Sequence, residues 1–428
     1  EVNHDLGLTL RYSWTSGSRF GFIRRSQLLN TGASEVRVEL LDGLRNLLPY
    51  GVDRAAQAEL STLLDAYKQA EAVGNACAGI YTLGSILTDR AEPSEALRAT
   101  VVWSTGLDHA RVLLSEDQVQ AFGVGREVLP EAYSRGKRGA FFVQSSLTLP
   151  PQSDQCWYLV ADVEQGPSQT AELLQTIRKG VSAETIEQDV AAGRARLERL
   201  TGSADGFQKS ADDLVTGRHF SNTLFNIMRG GVFAYGYRFP REDFLDFVGQ
   251  RNLPMRETVR CALDRLEGPL TLDSALELAE ASQSEAFIRL VHEYLPLTFS
   301  RRHGDPSRPW NSFSIQLKNG NGAEYLYYEG NWRDIFQNWD ALAVSFPGYI
   351  ESFIAKFVNA STADGHNPYR ISRDGIDWEV LEPGNPWSNI GYWGDHQIVY
   401  LLRLLELSRD YHPGLIEDSL GRERYAYA

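Results

Sequence analysis

The hydrophobic period of this chain changes at Gly166-Pro167, and that change limits the fold more than any single motif. Before it, Leu6, Leu8, Leu10, Tyr12 and Trp14 recur at every second residue, as in a half-buried strand. Residues 20–29 and 36–41 repeat the pattern on either side of the turn-forming Asn30-Thr31-Gly32. Short apolar runs at 78–87, 99–103, 140–149 and 157–163, mostly bounded by turn residues, predict a β-sandwich. Residues 57–72 interrupt the rhythm with a helical pattern.

After the change, residues 170–179 and 183–200 are rich in Ala, Glu, Gln, Leu and Arg, all good helix formers. They read as a helical linker. A second domain begins with a helix at 219–228, which Gly230-Gly231 should stop. Further helices are predicted over 244–250, 255–266, 274–294, 341–357 and 397–409. The last carries a stripe of Ile398, Leu401, Leu402 and Leu405. The expected domains are residues 1–165, a β-sandwich; 166–210, the linker; and 211–428, a helical domain. A length of 428 residues suits two or three domains of about 100–200 residues each.

Charge narrows the partners. A net charge of −14 disfavours nucleic acid and anionic membrane surfaces, both of which need a cationic face, and leaves a neutral ligand compatible. No apolar run reaches the roughly 18 residues of a membrane span. Cys77, Cys156 and Cys261 are odd in number and widely spaced, with no metal-ligand spacing. That pattern points to a reducing, cytoplasmic setting, with no disulfide framework, metal or cofactor. The chain starts at Glu1 and enters a strand-like pattern at once, so it is expected to be a piece of a longer protein.

The candidate chemistry lies late in the chain. Six of nine tryptophans fall between residues 310 and 393, among Asn, Asp, Glu, Arg and His. A sugar presents apolar C–H faces and a rim of hydroxyls, which aromatic platforms and polar side chains can match. A buried aromatic core is the competing reading. Three segments hold the cluster. In the first, Arg301, Arg302, His303 and Arg308 lie in a Pro/Gly loop ending at Trp310, and offer a phosphate or an acidic substrate a cationic bed; a solvated loop with local ion pairs is the alternative. In the second, Trp332, Arg333, Asp334, Gln337, Asn338, Trp339 and Asp340 lead into a helix, and Asp334 and Asn338 are spaced to share one face. Helix capping with charge pairing is its alternative. In the third, Trp393, Asp395 and His396 precede the last long helix. Asp395 serves there either as a sugar ligand or as an N-cap. Carboxylates gathered at loops ahead of helices are what glycosyl transfer uses.

These residues resemble the inverting disaccharide phosphorylases (cellobiose and chitobiose phosphorylase) and the related part of cyclic glucan synthases. Arg333, Asp334 and Gln337 match the family's Phe-Arg-Asp-Gln-Leu-Gln-Asp motif, with Asn338 where the family has aspartate. Asp395 matches the second aspartate of its Ser-Asp-Asp motif, and residues 364–373 fit the loop between. Residues 330–334 also echo the family's general-acid motif, with Asn331 at the acid position, but motif order favours the sugar-binding assignment.

The resemblance implies a galactose-mutarotase-like β-sandwich, a helical linker and the first part of an (α/α)6 barrel. It implies a glycoside phosphorylase or hydrolase with glycosyltransferase-like chemistry. Arg333 and Asp334 would hold the −1 sugar, supported by Gln337, Asp340 and Asp395, with Trp332, Trp339 and Trp393 as stacking faces. An oligosaccharide and inorganic phosphate are the expected partners, with a homodimer as an allowed assembly. The general acid is expected beyond Ala428, leaving this chain alone inactive. Residues 236–300 look like an insertion relative to the phosphorylases, and the loop from Arg301 to Trp310 has no counterpart there. Two other functions stay open: a non-catalytic carbohydrate-binding scaffold, and an α-barrel lyase using Arg301 and Arg308 on an acidic polysaccharide.

Overall fold

The computed structural model describes residues 1–74, 76–87, 95–301, 315–319, 324–378, 392–393 and 397–428, without the side chains of Arg54, Tyr392 and Trp393. It divides into two units, Glu1–Arg196 and Leu197–Ala428.

The first unit holds β1 (Val2–Asn3), β2 (Leu8–Ser16), β3 (Phe22–Asn30), β4 (Val36–Leu47), α1 (Arg54–Glu59), α2 (Ser61–Tyr67), β5 (Lys68–Val73), β6 (Ala78–Leu83), β7 (Ala99–Thr105), β8 (Arg111–Leu113), α3 (Val119–Gly123), β9 (Tyr133–Arg135), β10 (Gly139–Leu149) and β11 (Asp154–Gln165). An eight-stranded sheet runs β1-β2-β3-β11-β7-β6-β5-β9, and a three-stranded sheet runs β4-β10-β8. The two pack face to face: Val102 and Leu159 from one meet Phe141 and Val143 from the other in a shared core. The larger sheet is also covered behind. Trp103 and Val160 pack there with Val181 and Ile186, alongside Leu173 and Ile177 from α4 (Pro167–Arg178). With both faces covered, β7 is buried almost throughout instead of alternating between buried and exposed residues.

One carboxylate fixes the β2–β3 turn. Asp189, on α5 (Ala183–Ser203), accepts backbone N–H bonds from Ser18 at 3.2 Å, Arg19 at 3.1 Å and Phe20 at 3.2 Å. Gly17 is needed for this approach, because a Cβ there would stand 1.8 Å from Asp189 Oδ2. Asp189→Ala should cost about 1–3 kcal/mol in urea unfolding, since three donors lose their acceptor. A loss no larger than that of an exposed-site alanine control would remove this role.

The second unit continues with α6 (Asp213–Gly230), β12 (Val232–Phe233), α7 (Arg241–Arg251), α8 (Leu253–Leu263), α9 (Leu272–Ala281), α10 (Glu285–Glu293), β13 (Leu297–Thr298), β14 (Glu329–Asn331), α11 (Trp332–Ser345), α12 (Ile350–Asn359), β15 (His366–Asn367), β16 (Arg370–Ser372), β17 (Ile376–Asp377), β18 (Tyr392–Trp393), α13 (Ile398–Tyr411) and α14 (Leu415–Ser419). Its core runs through nearly all of the helices. Phe233 stacks on Tyr349 with centroids 3.8 Å apart. Gly231 caps α6 at φ 88°, so Gly230-Gly231 does stop that helix.

Three expected elements differ. Residues 57–72 are helical only as far as Tyr67, after which β5 pairs with β6 and β9. The helix expected over 274–294 is two helices, broken around Gln283 at φ 54°. The helix expected from 341 starts nine residues earlier, at Trp332, and breaks at Pro347, because the residue before a proline avoids helical backbone. Among the described residues no helix is long and apolar enough to cross a membrane. The three cysteines are free.

Candidate functional site

Helix α11 separates its residues cleanly into two faces. Trp332, Ile335, Phe336, Trp339, Leu342 and Ala343 recur at helical spacing and are buried. Arg333, Gln337, Ala341 and Val344 line the opposite, exposed face. Asp340 sits at the border, 9% exposed.

The exposed face opens onto a cleft of about 530 Å³, lined by Asn226 of α6, Gln337, Asp340 and Ala341 of α11, and Val399, Tyr400 and Arg403 of α13. Arg403 Nε donates to Asp340 Oδ2 at 2.8 Å. That hydrogen bond, reinforced by the carboxylate's charge, raises the guanidinium above its ordinary value. The second carboxylate oxygen, Oδ1, is buried without a hydrogen bond. The cleft therefore sets the Asp340–Arg403 ion pair beside two amide side chains, a polar set suited to hydroxyl recognition.

Just ahead of α11, β14, β16 and β17 form a small sheet. Arg370 Nη1 donates to Glu329 Oε1 at 2.6 Å and also pairs with Asp377. Tyr327 OH donates to Glu329 Oε2 at 3.0 Å. Burial, then the nearby Glu329, pushes the Tyr327 phenol well above its usual range. His366 stacks on Trp378 with centroids 5.4 Å apart.

The candidate residues from the sequence divide accordingly. Gln337 and Asp340 meet in the cleft, and Arg333 lies one turn before Gln337 on the same face. Asp334 is half-buried, and its carbonyl accepts from Asn338 Nδ2 within the helix, while Asn331, the N-cap of α11, makes no side-chain cap bond. Asn338 is itself buried and does not share a ligand face with Asp334.

Trp332 and Trp339 require correction as stacking platforms, because both rings are fully buried. Phe336 and Phe357 pack against Trp332, while Phe353 stacks on Trp339 at 5.2 Å. Arg301 is also buried, its guanidinium 5.4 Å from the centroid of the Phe225 ring. The backbone of Trp393 pairs with His366. Arg308, Asp395 and His396 lie outside the described residues. Asn226 and Arg403 escaped the sequence reading because only tertiary packing brings them to α11. Arg370 lay inside residues 364–373 and Glu329 just ahead of the second segment, with nothing local to mark their pairing.

Residues 233–296 match the family model described as glycoside hydrolase family 149 insertion domain 1. The match covers nearly all of the stretch expected to be inserted, residues 236–300. The chain resembles the glycoside phosphorylases and hydrolases, and the matched residues lie ahead of the motif at Arg333, Asp334 and Gln337. No curated protein matches the sequence.

Two solved structures are similar in part. One, from Klebsiella pneumoniae subsp. pneumoniae MGH 78578, is assigned as an aldose 1-epimerase. The match has 11% identity and a TM-score of 0.20, covering 42% of this chain and 52% of that protein. The other, from the human microbiome, is assigned as a kojibiose phosphorylase. That match has 10% identity and a TM-score of 0.26, covering 86% of this chain and 36% of that protein. The chain thus spans about half of the first and about a third of the second.

Proposed function

We propose that this chain forms the −1 sugar side of a carbohydrate-active glycosyl-transfer enzyme of the phosphorylase or hydrolase kind. In this reading, residues 1–165 are a mutarotase-like sandwich, 166–210 a linker and 211–428 the first part of an (α/α)6 barrel. The observation that carries the proposal is the exposed face of α11, which brings Gln337 and Asp340 to a cleft shared with Asn226 and Arg403, with Arg333 one turn away. The Gln337 and Asn226 amides meet sugar hydroxyls beside the Asp340–Arg403 pair. Arg333 offers a planar donor fork to vicinal oxygens. The insertion domain supports the carbohydrate class.

Calorimetry with a panel of oligosaccharides tests the site. Arg333→Ala should weaken binding by about 1.5–3 kcal/mol, roughly 10- to 100-fold, with the circular dichroism spectrum unchanged. Equal affinity in the variant would remove Arg333 from the site. Incubation with and without inorganic phosphate then separates the chemistries. Sugar phosphate release supports phosphorolysis, phosphate-independent cleavage supports hydrolysis, and binding without turnover supports a scaffold. Of the cations that the lyase alternative uses, Arg301 packs on Phe225 and Arg308 lies outside the described residues.

A further inference from the structure

The second unit buries a set of hydrogen-bond donors that lack acceptors. Helix α12 turns Phe353, Ile354 and Phe357 into the core, and Lys356 follows them at 5% exposure. Lys356 Nζ lies 5.7 Å from the Phe247 ring centroid and 5.6 Å from that of Tyr328. No hydrogen bond or ion pair reaches Nζ among the described residues. Tyr328 is 1% exposed, and its hydroxyl has no partner among the described residues. Arg373 is 6% exposed. Its Nη1 is held by Asp243 Oδ1 at 2.9 Å and the Leu326 carbonyl at 2.6 Å, and its Nη2 reaches the Asp243 carbonyl at 3.3 Å. Its Nε is buried without a partner.

These groups form one neighbourhood. The Arg373 backbone N–H bonds to the Tyr328 carbonyl at 3.0 Å, and Arg251 of α7 donates to the Arg373 carbonyl at 3.0 Å. Arg251, Glu293, Arg373 and Asp374 act electrostatically on both Lys356 and Tyr328.

The nearby carboxylates are occupied or turned to solvent. Asp243 takes Arg373 and the Tyr294 hydroxyl, the latter at 2.5 Å; Glu293 takes Asn359 Nδ2 at 2.6 Å; Asp374 is exposed. Each unsatisfied buried donor costs about 1–3 kcal/mol, so Tyr328 OH and Arg373 Nε, with Lys356 nearby, call for an acceptor. A water can donate only to the Tyr328 oxygen or to Lys356 when it is neutral, whereas an anion accepts from all three groups at once. A species that only accepts satisfies all three.

We propose that Lys356, Arg373 and Tyr328 form a buried binding site for a small inorganic anion, where the insertion domain meets α12. Arg251 adds a second guanidinium to the field around it. The charge state of the lysine agrees with this. Burial, then Arg251 and Arg373, lowers Lys356 to about 7 against the opposing pull of Glu293 and Asp374. A bound anion restores the ammonium, so binding above that pH takes up a proton.

Isothermal titration of the whole chain with sodium chloride, sodium sulfate and sodium phosphate at pH 8 tests the site. At least one salt should bind saturably, with a heat that varies with buffer ionisation enthalpy as a proton is taken up. Tyr328→Phe, which removes one oxygen, should weaken binding about tenfold, and Lys356→Met should abolish it together with the proton uptake. If Lys356→Met fails to fold, Tyr328→Phe and the proton uptake still decide the matter. No saturable heat with any salt, or equal affinity in Tyr328→Phe, would overturn the proposal and leave the donors to ordered water.

Discussion

Trp339→Ala is expected to destabilise the second unit by about 3–5 kcal/mol in urea unfolding, a large share of a domain's stability. The indole is fully buried and packed on three sides: Tyr328 at 5.6 Å, Phe336 at 5.1 Å and Phe353 at 5.2 Å between centroids. Alanine leaves a cavity that these rings cannot all close. The indole also donates from Nε1 to the Gly230 carbonyl at 2.8 Å, tying α11 to the end of α6. Trp339→Phe keeps most of the bulk but orphans that carbonyl, so about 1–3 kcal/mol is expected. Trp332 offers a control, because its Nε1 has no hydrogen-bond partner. Trp332→Phe should therefore cost less than Trp339→Phe. Oligosaccharide affinity should be unchanged in both phenylalanine variants. Weakened sugar binding at unchanged stability would return these rings to the ligand surface and refute the core assignment.

These tryptophans are misleading in sequence because their polar neighbours along the chain do not share their face of the helix. Trp332 and Trp339 are seven residues apart, with Ile335, Phe336, Leu342 and Ala343 at the intervening and following helical positions, which is a core stripe. The polar residues around them belong mostly to the other side of the same helix. Read by face, the same segment shows Arg333 and Gln337 outward and Asp340 at the edge. The partners across the cleft stayed hidden for a different reason. Arg403 lies 63 residues beyond Asp340, and nothing local pairs them.

Strands were legible where one side meets solvent or a core, since the period of two survives. β5 was not, because it follows α2 at once in an Ala- and Leu-rich stretch. There Lys68 is buried, held by Gln57 at 2.6 Å and Asp65 at 2.7 Å. A lysine buried by contacts from its own preceding helices looks, in sequence, like the solvent face of one more turn. Lys356 conceals itself in the same way on α12, with a larger energetic consequence.

Lys356→Met should flatten the stability of the second unit against pH. In the folded chain Lys356 titrates near 7, whereas an unfolded lysine titrates at about 10.4. Between those values the unfolded chain carries one more proton than the folded chain, so stability from this group rises with pH, by up to about 1.4 kcal/mol per unit. Below pH 7 both states are charged, the slope vanishes, and the full cost of burying the ammonium remains. Methionine fills a similar volume without a charge to desolvate, so the variant should be more stable than the parent at pH 6–7 and converge with it towards pH 10. Urea unfolding at pH 6, 7.5 and 9 in anion-poor buffer reads this directly. Parallel pH profiles for parent and variant would show that Lys356 stays charged throughout. Repeating the series with an anion that binds raises the folded titration point, narrows the window and moves the parent's curve towards the variant's. That shift links the stability of α12 to occupancy of the site beside it.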